Sequence, residues 1–140
     1  MSLAAVLLPV FVQIALTFAL MAWMGRLRTA ALRGRVVAMR DIALGQNVWP
    51  QKVRQIGNAF HNQLETPMLF YAAVAMSLAS LKPDLIFVCL EWLFVFGRFA
   101  HAYVHTGGND VRLRGPVFGI GFVALAAMWI EFAARVLTAG

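Results

Sequence analysis

Charge is scarce in this chain and cysteine is nearly absent. Of 140 residues, 13% are charged, with 12 lysines and arginines against 6 aspartates and glutamates. A soluble domain carries about 25% charged residues, so an ordinary water-facing globular surface is excluded. The one cysteine, Cys89, can form no internal disulfide and has no second thiol beside it for a metal site. It lies in the apolar run Leu85–Phe96 and reads as a small buried hydrophobe. No internal repeat or low-complexity segment is visible either, which argues against solenoids and disordered tails. What is abundant is hydrocarbon, at 61% of the residues. The chain reads as an integral membrane protein forming one domain over 1–140.

Four apolar stretches cover nearly the whole chain, at about 3–24, 56–81, 85–105 and 116–137. Each reaches the roughly 20 residues that a helix needs to cross about 30 Å of hydrocarbon. They do not alternate, so membrane strands are disfavoured. Lys82-Pro83-Asp84 marks a tight turn, and Thr106-Gly107-Gly108-Asn109-Asp110 breaks the chain again. Pro116 suits the first turn of the last helix. The predicted fold class is all-α, a four-helix up-down membrane bundle with one long polar connection.

The basic residues are placed rather than scattered. Arg26, Arg28, Arg33, Arg35, Arg40, Lys52 and Arg54 fill the first connection, opposed by Asp41 alone, and Arg112 and Arg114 face Asp110 in the third. The positive-inside rule puts both connections in the cytoplasm and both termini on the far side. The location of the net charge of +6 therefore accounts for it without nucleic acid. The first connection, with an amphipathic stretch around Arg35–Leu44, is expected to lie on membrane lipids. A removable signal peptide is a poor account of the first span, because its basic residues follow it. Trp49 in particular reads as an interfacial anchor.

Two polar sets interrupt the apolar spans. Asn58, His61, Asn62 and Glu65 lie at offsets that share one face if the second span is a continuous helix, as do Arg98, His101 and His105 in the third. Ionisable groups in hydrocarbon are expensive unless paired or wet, so such a cluster is a functional hypothesis. On this topology both sets descend from the cytoplasmic surface, and a Glu65–Arg98 pair is feasible. Such a pair could equally lock two helices together. Glu91, deeper in the third span, reads as a partner across a bundle or trimer axis. Glu131 and Arg135 form an i, i+4 pair. His101 and His105 are i, i+4 metal ligands on paper, but with no Asp or Cys beside them no metal site is assigned.

The run Arg54-Gln-Ile-Gly-Asn58-Ala-Phe-His61-Asn62-Gln-Leu-Glu65-Thr66-Pro67, with Gly97-Arg98-Phe-Ala-His101-Ala-Tyr103-Val-His105 and Arg112-Leu-Arg114-Gly-Pro116, resembles the superfamily of membrane-associated proteins in eicosanoid and glutathione metabolism. Asn62 with Glu65, and Gly97-Arg98 with His101, are the most specific parts. The resemblance implies a homotrimer holding glutathione between subunits near the cytoplasmic face. It also implies thiolate chemistry on a lipophilic substrate, as a transferase, peroxidase or isomerase in detoxification or lipid metabolism. Arg54, Asn58, His61, Asn62, Glu65, Arg98, His101, Arg112 and Arg114 would then bind glutathione, with Arg98, His105 and Arg114 catalytic. The implied membrane is the bacterial inner membrane or the endoplasmic reticulum.

The chain departs from that pattern at Asn58 and His61, where glutathione-using relatives tend to carry arginine. His105 stands where many have tyrosine, and Gly115 where a serine often follows the loop arginine. Two other readings stay open: a non-catalytic relative that binds a lipid or another anion, and a small four-span transporter, which the lack of inverted repeats disfavours.

Overall fold

The computed structural model describes residues 1–43, 48–80 and 83–138, and every regular element among them is helical. Helix α1 runs Leu3–Arg33, started by the Ser2 hydroxyl, which accepts from the amide of Ala5 at 3.2 Å. A 3₁₀ turn at Met39–Ile42 follows, then α2 at Gln51–His61, α3 at Thr66–Ser80, α4 at Leu85–Thr106 and α5 at Val111–Thr138. Three of these, α1, α4 and α5, are long and apolar enough to cross a membrane. The chain is a membrane protein.

The second expected span is not one helix. It divides into α2 and α3, and Leu81 lies outside the described residues. Pro67 accounts for this: its ring nitrogen has no proton for the carbonyl of Gln63, and its ring clashes with that carbonyl in a continuous helix. The chain therefore leaves α2 through turns at Gln63 and Leu64, and α3 begins afresh at Thr66. At 15 residues, α3 alone covers about 22 Å, less than the hydrocarbon thickness.

The last helix also starts earlier than its proline suggests. The Asp110 carboxylate accepts from the amide of Arg112 at 2.9 Å, an N-cap that begins α5 at Val111 and leaves Pro116 inside the helix. Asp84 caps α4 in the same way, accepting from Phe87 at 2.9 Å. Lys82, which the sequence reading assigns to a turn, lies outside the described residues.

Helices α4 and α5 make the most extensive pair. A side chain added at Gly97 would come within 2.9 Å of the backbone nitrogen of Gly121, so these two glycines let the backbones touch. Around that crossing Phe70 of α3 stacks on Phe94 of α4, ring centroids 4.7 Å apart, and Val6, Phe87, Val95, Leu125 and Met128 complete the core. A smaller cluster at the Arg33 end of α1 joins Ala31, Val37, Trp49 and Val53.

Several single residues differ from their sequence-based reading. Trp49 is buried, its ring under the Arg28 guanidinium at 5.2 Å, so it packs within the protein. Cys89 is exposed on the outer face of α4. Within the stretch Arg35–Leu44, Met39–Ile42 forms a 3₁₀ turn, and Leu44 lies outside the described residues. Glu131 does pair with Arg135, at 3.0 Å, and Asp84 lies 3.5 Å from the same guanidinium.

Candidate functional site

The break between α2 and α3 creates the central interaction of the polar region. In an unbroken helix the carbonyl of Asn62 would accept from the amide of Thr66. Here it accepts from Nη2 of Arg98 instead, at 2.6 Å. The guanidinium is 1% exposed and sits over the Phe118 ring of α5 at 5.6 Å. Among the described residues Glu65 forms no ion pair, and its side chain is exposed. In place of a direct Glu65–Arg98 ion pair, Arg98 bonds the Asn62 carbonyl, an acceptor that the broken helix leaves open.

A hydrogen-bonded seam runs outward from Arg98. The side-chain amide of Asn62 lies 3.2 Å from Nδ1 of His105 and donates to it. The His101 ring meets His105 edge-on at 5.6 Å and Phe118 at 5.5 Å. Gln55 then ties α2 to the end of α4, donating to the carbonyls of His105 at 2.6 Å and Gly107 at 3.0 Å. Lys52 donates to the carbonyl of Thr106 at 2.6 Å. Two buried nitrogens of the seam, Nε of Arg98 and Nδ1 of His101, have no hydrogen-bond partner among the described residues. Buried donors and acceptors left so are costly.

Above the seam lies an open polar cleft of about 660 Å³, between one face of α2 (Gln51, Arg54, Gln55 and Asn58) and the turn Gly107–Asn109. The four α2 residues are spaced i, i+3, i+4, i+7 and so share a face. Arg114 reaches this cleft indirectly, donating to the Asn109 side chain at 2.7 Å. Arg98, His101 and His105 are buried below it and do not line it.

The predicted site residues therefore fall into three groups. Asn62, Arg98, His101 and His105 are brought together in the buried seam, and Arg54 and Asn58 line the cleft, with Arg114 behind Asn109. His61, Glu65 and Arg112 are exposed and lie outside both. His61 turns its ring against Phe60 at 5.8 Å.

Sequence reasoning missed the glutamines. Gln55 fastens the cleft, and Gln13 of α1 donates to the side-chain carbonyl of Gln63 at 2.9 Å, both fully buried at the helix break. Gln13 carries a legible signal as a lone amide in an apolar span; Gln55 does not, being one of several polar residues in a basic segment. Glu91 is fully buried, and neither carboxyl oxygen has a partner among the described residues, so the expected partner across a bundle is not found within this chain. Among the described residues no group of three histidines, cysteines or acids could hold a metal.

No curated protein and no solved structure matches this chain. The model of the MAPEG family matches residues 6–134, which include α2, the helix break, the buried seam and the cleft. The chain therefore belongs to the MAPEG family.

Proposed function

We propose that this protein is an integral membrane enzyme that uses glutathione as cosubstrate, transferring it to lipophilic electrophiles or reducing lipid hydroperoxides. The observation that carries this reading is the pairing of an arginine-bearing cleft of about 660 Å³ with the buried Arg98–Asn62–His105 seam beneath it. Ligand pockets run about 300–1,000 Å³, so a tripeptide anion fits the cleft by size. Arg54 offers a permanent positive charge to a carboxylate. Arg98 and His101, whose spare nitrogens point to further hydrogen bonding, supply the donors that hold a thiol as its nucleophilic thiolate.

In this reading the protein is a homotrimer, and a neighbouring subunit closes the cleft and carries the ligand down to the seam. His105, already fixed by Asn62, stands in the tyrosine's place as a donor to sulfur. Arg112 and Arg114 lie at the mouth, with Arg114 steadied by Asn109. Glu65 takes the amino group of glutathione from its exposed position, and His61 faces the same surface. Lipid-soluble substrates arrive laterally from the bilayer. Both termini lie on the non-cytoplasmic side, following the positive-inside rule.

The test is a titration of the purified, detergent-solubilised protein with glutathione, following melting temperature and thiolate ultraviolet absorbance. The expected result is a rise in both within the millimolar range. A well-folded trimer showing neither change favours the second reading, a non-catalytic member whose Arg54–Asn58 cleft takes a lipid or another anion.

A further inference from the structure

A second built surface lies at the Arg33 end of α1, away from the cleft. At 31 residues, α1 is about 46 Å long, and the bilayer with its headgroups is about 40–45 Å thick. The apolar part ends near Met24. Trp23 is partly exposed there, with the Lys52 ammonium 5.8 Å from its ring, as befits the hydrocarbon boundary. The following helical residues, Gly25–Arg33, cover about 13 Å, so they cross the headgroup layer and bring Arg33 to its outer side.

The chain then folds back over this helix end. Gly34 caps α1, Arg35 takes a left-handed φ of 54°, and the amide of Val36 donates to the carbonyl of Ala31 at 3.0 Å. Val37 is buried against the cluster of Ala31, Trp49 and Val53. This return leaves Val36 67% and Met39 73% exposed beside the arginines. Two shallow concavities flank the turn and share Arg33. One, of about 440 Å³, is lined by Gly25, Arg26, Thr29 and Ala30. The other, of about 490 Å³, is lined by Leu32, Arg35, Val37, Ala38 and Met39.

The neighbouring cations are already engaged: Arg28 lies over Trp49, and Arg40 lies 3.5 Å from Asp41. Arg26, Arg33 and Arg35 form no ion pair among the described residues. We infer that this turn is a binding surface for anionic phospholipid headgroups of the surrounding bilayer. Arg26, Arg33 and Arg35 take the phosphates, with Val36 and Met39 beside them at the outer side of the headgroup layer. Charge complementarity and the depth of the helix end favour lipid over a soluble partner. The inference stands apart from the glutathione reading, because no residue is shared with the cleft or the seam.

The experiment places the whole protein in nanodiscs of phosphatidylcholine with and without phosphatidylglycerol, and reads the lipids retained on release by native mass spectrometry. Preferential, salt-sensitive retention of phosphatidylglycerol is expected. A basic residue near an anionic surface contributes about a fivefold preference, so the triple variant Arg26→Gln/Arg33→Gln/Arg35→Gln is expected to lose most of it. Arg40→Gln removes one charge, from a residue paired with Asp41, and is expected to lose less than Arg26→Gln, Arg33→Gln or Arg35→Gln alone. Equal retention of both lipids by the unaltered protein overturns the proposal, as does an unchanged preference in the folded triple variant. If that variant does not fold, a wild-type preference that ignores salt overturns it. Full competition by free glycerol phosphate assigns a small-anion site and overturns it too.

Discussion

The side-chain amide of Gln13 donates to the side-chain carbonyl of Gln63 across 2.9 Å, joining the middle of α1 to the break between α2 and α3. Gln63 reaches back to the carbonyl of Ala59 at 3.4 Å, and Thr17 on α1 bonds the carbonyl of Gln13 at 3.1 Å. The break that exposes the Asn62 carbonyl to Arg98 is thus pinned from the opposite side by a buried amide pair.

Gln13→Leu and Gln63→Leu are each expected to destabilise the protein, and a double-mutant cycle should give a coupling of up to about 1.7 kcal/mol, the largest value found between membrane helices, where the average is about 0.6 kcal/mol. Thermal or denaturant unfolding in detergent measures it. Strict additivity would show that the pair does not hold the break.

Asn62→Ala removes the side-chain donor to His105 but keeps the backbone acceptor of Arg98. The fold is expected to survive with a modest loss of about 0.5–1.5 kcal/mol, whereas Arg98→Ala orphans a buried carbonyl and costs more. Both variants are expected to lose thiolate absorbance with glutathione, and Arg54→Gln to weaken binding with melting temperature unchanged. A thiolate signal that survives Arg98→Ala in folded protein would move the chemistry elsewhere.

Gly97→Ala forces a methyl group to within 2.9 Å of the Gly121 backbone, where no side chain can yield. Overpacking of this kind costs about 1–3 kcal/mol, and it displaces Arg98, the next residue. A drop in melting temperature is the expected readout. Gly119→Ala, with nothing within 4 Å of its added methyl, serves as the matched control and is expected to melt no lower than the natural protein, because alanine is the better helix former.

Glu91→Leu replaces a fully buried carboxyl without hydrogen-bond partners among the described residues. Because an unpartnered polar group in an apolar core is a cost, the variant is expected to melt higher than the natural protein. A lower melting temperature together with loss of the oligomer would instead reveal a partner on a neighbouring subunit.

Composition and pattern were sufficient for the membrane environment, for the helices around Leu3–Met24, Leu85–His105 and Pro116–Leu137, and for the family. These are legible because hydropathy acts additively along a chain and needs no knowledge of neighbours. The buried face of Arg98, His101 and His105 was legible too, since α4 is regular and its spacing alone sets the face.

The partners of those residues were decided by tertiary structure. Pro67 interrupts the helix, so the even stripe from Asn58 to Glu65 divides into cleft, seam and surface, and Arg98 bonds a backbone carbonyl that exists as a free acceptor only because the helix is broken. Gln13 and Gln63, 50 residues apart, meet only in the folded chain. Spacing along a sequence determines faces of regular helices; where a helix stops, and which acceptor that leaves open, depends on what packs against the ends.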